Sequence, residues 1–206
     1  MGGFFGMDGP FDKIGGLIAD ILLLSLCWIL FSLPLFTAGA STTALYYVMT
    51  RRISDREGYI FRDFWSSFKS NFKQSTLIWL LLILAGGIIL VNIRNIDLTG
   101  RLKIFLLPVQ ICCLIEICLI SLYIFPINAR FDIKLFESVK SSFVLANRHI
   151  VTSIVCMAAA LAAGFAVSLY FPFILAAMGV YAYVTSSLLM QVFKKYRPEI
   201  DKDAQS

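Results

Sequence analysis

The sequence predicts an all-α fold, a polytopic membrane bundle of about five transmembrane helices with additional cytoplasmic amphipathic helices. Of the 206 residues, 59% are hydrophobic and only 15% are charged, and the apolar residues are gathered into long runs. Soluble domains contain roughly 45–50% apolar and about 25% charged residues. Long apolar runs in such a chain are typical of helices that cross a bilayer, and the length favours one membrane domain, residues 1–206.

Five apolar runs are each long enough to cross ~30 Å of hydrocarbon at 1.5 Å per residue. The predicted spans are residues 14–36, 76–91, 104–127, 150–169 and 173–193. The first run competes with a secretory signal peptide, because Ala38-Gly39-Ala40 resembles a cleavage site. Residues 1–13 hold one cation and two acids, whereas a signal peptide needs a basic leader, so we predict a retained span.

The distribution of cations predicts the orientation, because Lys and Arg gather in cytoplasmic connections. Fourteen cations lie in segments 51–73, 130–148 and 194–202, against four in segments 1–13 and 92–103. Five alternating spans then place the N-terminus outside and the C-terminus in the cytoplasm of a multi-pass cell-membrane protein. The same bias explains the net charge of +5. No basic run with interleaved aromatics indicates a nucleic-acid partner.

Two cytoplasmic segments, about 59–73 and 133–146, have the pattern of amphipathic helices. In the first, aromatic residues recur at helical spacing, namely Phe61, Phe64, Trp65, Phe68 and Phe72. Arg62, Lys69 and Lys73 fall on the opposite face. This pattern predicts a helix at the membrane interface with its cations toward anionic lipid, or one whose aromatic face packs on the bundle. Residues 64–72 also align weakly with 135–143, which suggests a parallel repeat of span, surface helix and span.

Small and polar residues follow the first span. The stretch from Gly39 to Thr43 permits close backbone approach or a helix break, and its hydroxyls could cap a short helix through Tyr47. The alternative is that these residues only turn the chain at the interface. The fourth span is rich in alanine, and Ala160, Gly164 and Ser168 have the spacing of small residues that favours packing within the bundle, or dimerisation.

Two acidic residues lie inside predicted spans. Glu116 lies at the centre of the third span with Gln110 on its outer side, and Asp20 lies in the first. A charged side chain at this depth costs roughly 2.5 kcal/mol or more, so it usually faces a partner or a cavity. The three residues form a candidate intramembrane polar site for a solute, proton or cation. The alternative is a protonated Glu116 that only hydrogen-bonds between helices.

The sequence predicts no enzyme, no cofactor and no metal site. It lacks the common motifs of nucleotide-binding proteins, zinc proteases and serine hydrolases. Its five cysteines all lie in apolar runs and form no CxxC pair, and the nearest of them to the only histidine, His149, is seven residues away. In such runs cysteine behaves as a small hydrophobic residue.

Three stretches resemble the YesL-like family of bacterial membrane proteins of unknown function, which are found mainly in Gram-positive bacteria. They are residues 7–11 (MDGPF), 39–47 (GASTTALYY) and 58–73 (GYIFRDFWSSFKSNFK). The resemblance implies a role near carbohydrate uptake, with a sugar permease or another membrane protein as partner. It supplies no catalytic residue. The expected function is therefore a non-enzymatic membrane accessory or regulatory protein associated with carbohydrate uptake. The alternative is a small solute or ion transporter or channel with its polar site at Glu116.

Overall fold

The chain folds into a bundle of helices, as seen in a computed structural model that describes residues 10–54 and 58–203. Side chains are described for residues 15–54, 58–96, 100–170 and 172–193. Of the stretch 7–11 that resembles the YesL-like family, residues 7–9 lie outside the described residues. The helices are α1 (Pro10–Ser32), α2 (Ala38–Ile53), α3 (Ile60–Arg94), α4 (Lys103–Arg130), α5 (Leu135–Arg148), α6 (Ile150–Leu169) and α7 (Ile174–Asp203). Short 3₁₀ turns precede α2, α4 and α7, and the described residues contain no strand. The predicted all-α fold class is confirmed.

Five helical segments are long and apolar enough to cross a membrane. They are Gly15–Ser32, Ile60–Arg94, Gly100–Arg130, Ile150–Leu169 and Ile174–Phe193. Their apolar side chains mostly point away from the protein, and Leu84 and Phe105 are 61% and 74% exposed. So much exposed apolar surface on five helices requires lipid as its solvent. The protein is therefore a polytopic membrane protein.

The first amphipathic segment and the second span form one continuous helix, α3. No proline or glycine lies between Ile60 and Leu84, so the helix is not broken where its outer face changes from charged to apolar. Its 35 residues extend about 52 Å, well beyond the ~30 Å of a hydrocarbon core. The second predicted segment instead becomes a separate helix, α5. The proposed repeat is therefore not reproduced at the level of helices.

An additional buried helix, α2, occupies what the sequence analysis treated as a connection. Ala40, Ala44 and Leu45 have no exposed surface, and they pack between α1, α3 and α7. A Cβ atom on Gly39 would lie 2.5 Å from the Ser75 carbonyl oxygen, so α2 and α3 touch along their backbones. The close-approach alternative for residues 39–43 therefore holds. The interface-turn alternative is wrong, because the chain turns earlier, at residues 33–37.

The α2 helix makes α1 and α3 parallel. Trp28 Nε1 donates to Thr42 Oγ1 at 3.1 Å and Asp20 pairs with Arg52, so α1 and α2 run in opposite directions. Arg51 pairs with Asp63, and the Thr43 and Ser75 hydroxyls lie 2.8 Å apart, so α2 and α3 also run in opposite directions. The predicted placement of the termini on opposite sides assumed that the first two spans alternate. Their parallel arrangement removes that assumption.

The remaining helices complete the bundle around three clusters of buried side chains. One cluster joins α4 to α5, α6 and α7 through Tyr123, Leu145, Cys156 and Leu189. A second joins α1, α2, α3 and α7, and a third lies where α2, α3 and α4 meet. Because α4 runs antiparallel to α3, the buried end of α4, residues 122–129, returns to the polar first half of α3.

Candidate functional site

A polar cleft opens at the end of the bundle where α3 begins and α4 ends. We call this end the basic end, because it carries Arg51, Arg52, Arg62, Lys69 and Arg130. The cleft has a volume of about 320 Å³ and is bordered by α2, the polar face of α3 and the end of α4. Hydroxyl and amide groups dominate its lining, which includes Tyr47, Ser66, Ser70, Asn71, Asn128 and Asp132.

The inner wall of the cleft is a hydrogen-bond network that ties α3, α4 and α5 together. The Asn128 carbonyl oxygen, Oδ1, accepts from Ser138 Oγ at 2.5 Å and from Gln74 Nε2 at 3.3 Å. Gln74 Nε2 also donates to the Ile133 carbonyl at 2.9 Å. Asn128 is only 5% exposed, and its Nδ2 group has no hydrogen-bond partner. The network therefore joins the three helices but leaves one buried amide donor without a partner, which costs free energy.

The α3 side of the cleft presents a row of small polar side chains. Ser66 and Ser70 lie four positions apart, as do Ser67 and Asn71, so the two pairs form neighbouring rows along one side of the helix. Asn71 Nδ2 donates to the Ser67 carbonyl at 3.1 Å and to Ser70 Oγ at 3.2 Å, and these bonds hold the amide in place. At the rim, Arg130 and Asp132 carry opposite charges. The arrangement suits hydrogen bonding to a polar group more than capture of an ion of one sign.

The sequence analysis did not single out Gln74 or Asn128. Each is an amide at the boundary between an apolar run and a charged segment. Such a position is ordinary for a helix that leaves the membrane, so sequence alone gave no reason to pair them. They are 54 residues apart, and only the antiparallel packing of α3 on α4 brings them together.

The predicted polar site of Glu116, Asp20 and Gln110 is not assembled as one cluster. Asp20 pairs with Arg52 at 2.5 Å, whereas Glu116 Oε1 accepts from Asn147 Nδ2 at 2.7 Å. The α1 helix packs on α7, α2 and α3, whereas Asn147 belongs to α5, which packs on α4. Glu116 and Asp20 therefore have separate partners on different helices. Gln110 lies two turns from Glu116, and its buried Oε1 has no hydrogen-bond partner.

The Glu116–Asn147 bond predicts how substitutions of Glu116 behave. Glu116→Gln keeps an acceptor for Asn147, whereas Glu116→Leu removes it, so we expect only the leucine variant to lose stability, by about 1 kcal/mol. Thermal unfolding in detergent measures this loss, and Asn147→Ala should reproduce it without adding to it. If the glutamine variant folds normally but no longer supports the function of the unaltered protein in cells, Glu116 instead carries a proton or cation.

The predicted interface helix divides into buried and exposed aromatics. Phe64 and Phe68 are buried and lie 5.4 and 5.1 Å from the Phe31 ring of α1, and Phe72 packs against the same cluster. For these residues the bundle-packing alternative holds. Phe61 and Trp65 remain exposed, and the Lys69 ammonium lies 4.7 Å from the Trp65 ring. With the exposed Arg62, Lys69 and Lys73, they keep one side of α3 available to an interface.

The small residues of α6 pack on α7 along a different stripe from the predicted one. Ala159, Ala163 and Ala166 line an apolar cavity of about 370 Å³ between the two helices. Gly164 and Ser168 of the predicted stripe are exposed, and no atom lies within 4 Å of a Cβ built on Gly164. The α6–α7 contact therefore does not use the predicted stripe.

One family model matches the first part of the chain. No curated protein and no solved structure matches the chain. Residues 21–93 match the model of a family described as a protein of unknown function, DUF624. The matched segment includes the second half of α1, all of α2 and nearly all of α3, so it contributes Tyr47 and the serine-rich wall to the cleft. YesL is itself a DUF624 protein, and over these residues the predicted resemblance to the YesL-like family is confirmed.

Proposed function

We propose that the protein is a non-enzymatic accessory or regulatory protein of the cell membrane that works beside a carbohydrate uptake system. The cleft at the basic end would receive a polar segment from the cytoplasmic face of a partner permease. The YesL-like resemblance supports the link to uptake. The single observation that carries the proposed binding role is the cleft itself.

The composition of the cleft favours a polar partner. Its volume of about 320 Å³ lies in the ~300–1,000 Å³ range of binding pockets. Its wall offers the hydroxyl of Ser66, the amide of Asn71 and the carboxylate of Asp132. The same helix α3 carries exposed cations, and the distribution of cations along the sequence favours a cytoplasmic location for this end. A polar or acidic loop of a neighbouring protein matches these groups.

The packing of the bundle favours an accessory role over solute transport. Where α2, α3 and α4 meet, the interior is filled by Tyr46, Ile78, Ile124 and Phe125, each at most 5% exposed. A transport route would need polar or wettable groups at that depth. Glu116 and Asp20 lie on different helices and each has a partner of its own. The binding groups of the cleft lie on one side of this apolar plug.

Copurification with a blocked cleft tests the proposal. The tagged full-length chain is isolated from its native membranes after mild cross-linking, and the recovered permease subunits are quantified. Ser70→Arg places a long cation in the cleft, and we expect it to lower recovery of the permease at least about tenfold, because the entering segment would meet an occupied site. Ser54→Arg is the matched control, since Ser54 is exposed near the same end and lies outside the cleft lining.

Two outcomes would contradict this function. Equal recovery with Ser70→Arg, Ser54→Arg and the unaltered chain would show that the cleft does not hold the partner. Solute flux through liposomes that contain only this protein, lost in Glu116→Gln, would favour the transporter alternative.

A further inference from the structure

We infer that α1 and α2 form a re-entrant hairpin whose tip, residues 33–37, lies in the lipid hydrocarbon, so that the N-terminus is on the same side of the membrane as the C-terminus. The proposal goes beyond the proposed function and does not depend on it. It replaces the N-terminus-outside topology that follows from five alternating spans.

The helix directions bring the start of α1 and the end of α7 to the same end of the bundle. The contacts of Asp20 with Arg52 and of Arg51 with Asp63 gather the open end of the hairpin and the start of α3 in one place, the basic end. The α7 helix reaches the same end, because the rings of Phe193 and Phe131 lie 5.9 Å apart. The first residues of α1 and the last residues of α7 therefore lead to one side.

The tip of the hairpin is composed of exposed apolar residues. Leu33, Leu35 and Phe36 are 72%, 82% and 53% exposed, and residues 33–36 contain no polar side chain. A turn in water gains nothing from such residues, and turns at membrane surfaces normally carry polar ones. Exposed leucine and phenylalanine at a turn match lipid chains as the surrounding medium.

Carbonyl groups at the tip accept hydrogen bonds from side chains of the protein. Hydrocarbon supplies no hydrogen bonds, so a non-helical turn at that depth must satisfy its own carbonyl groups. Thr37 Oγ1 lies 2.6 Å from both the Phe31 and Pro34 carbonyl oxygens, and Trp79 Nε1 donates to the Leu35 carbonyl at 2.9 Å. The carbonyls of Phe31, Pro34 and Leu35 thus have side-chain donors, and the Thr37 backbone N–H also donates to the Pro34 carbonyl at 2.8 Å. Trp79 itself lies in the lipid-facing half of α3, which places the tip beside that half.

The α2 helix is too short to cross the hydrocarbon core. Its 16 residues extend about 24 Å and end in Arg51 and Arg52, so the helix falls short of the ~30 Å core and returns to the basic end. Under this topology Lys13 joins the fourteen cations of the cytoplasmic segments, and three remain outside. The bias of cations toward the cytoplasm becomes stronger than in the predicted topology.

Protease access to terminal tags tests the side of each terminus. The full-length chain carries a different epitope tag at each end, and sealed vesicles are prepared right-side-out and inside-out. We expect both tags to be digested in inside-out vesicles and both to be protected in right-side-out ones. Digestion of only one of the two tags in either kind of vesicle would overturn the shared side.

A charge at the tip tests its depth. Leu35→Lys is expected to lower the yield of folded protein at least about tenfold, because an ammonium group is strongly unfavourable in hydrocarbon. Asn95→Lys is the control, since Asn95 is exposed in the connection between α3 and α4. If both variants fold equally well, the tip lies in water, α2 crosses the membrane completely, and the re-entrant hairpin is overturned whatever the tags show.

Discussion

Replacing Gly39 by leucine is expected to prevent the bundle from assembling. A Cβ atom at this position would lie 2.5 Å from the Ser75 carbonyl oxygen and 2.6 Å from Trp79 Cβ. The first is a backbone atom of the neighbouring helix and the second is the first carbon of a side chain, so neither can rotate away. For Gly39→Ala, overpacking of this kind should lower the free energy of unfolding by about 1–3 kcal/mol. The larger leucine would separate α2 from α3 altogether.

The yield of monodisperse protein and its melting temperature in detergent measure this effect. Gly87 supplies the control, because it lies in α3, the helix that Gly39 contacts, and a Cβ on it would meet no atom within 4 Å. Gly87→Ala should stabilise the protein slightly, since alanine favours a helix by about 1 kcal/mol over glycine. Equal behaviour of Gly39→Leu and Gly87→Leu would contradict the close contact between α2 and α3.

Replacing Asn128 by leucine is expected to cause the second largest loss. Leucine has a similar size but no acceptor, so it leaves the buried Ser138 hydroxyl without its 2.5 Å bond and removes one acceptor from Gln74. Each buried polar group left unpaired costs about 1–3 kcal/mol. We therefore expect the free energy of unfolding to fall by a few kcal/mol. We also expect α5 to loosen from α4, which hydrogen exchange of residues 135–148 would detect.

A double-mutant cycle separates the network from a general loss of an amide. Asn128→Leu and Ser138→Ala share one bond, so their combined effect should be smaller than the sum of the two. Asn95→Leu is the control, because that amide is exposed and bonds only within its own helix, to the Val91 carbonyl. It should change stability by less than about 0.5 kcal/mol. An effect of Asn128→Leu no larger than this would show that the network does not stabilise the bundle.

The five spans were predictable because hydropathy is a local property. Each run of apolar residues must leave water whatever its neighbours do, and a helix satisfies its backbone inside lipid without help from other segments. The continuity of α3 was less visible. Its apolar side chains change from one face to the whole circumference after Ser75, which the sequence analysis took as a boundary between two helices.

The amino-acid sequence by itself determined that this protein is an all-helical membrane protein with five long apolar helices and several segments rich in cations, because composition and periodicity decide which surroundings a helix requires. The tertiary structure decided where α2 lies, which way α1 runs, and which partners Asp20, Glu116 and Asn128 have. Thr185 and Tyr46, 139 residues apart, lie 3.2 Å from each other only because α7 packs on α2. Such pairs depend on how helix faces fit together in space, and many arrangements of seven helices bury the same apolar residues equally well.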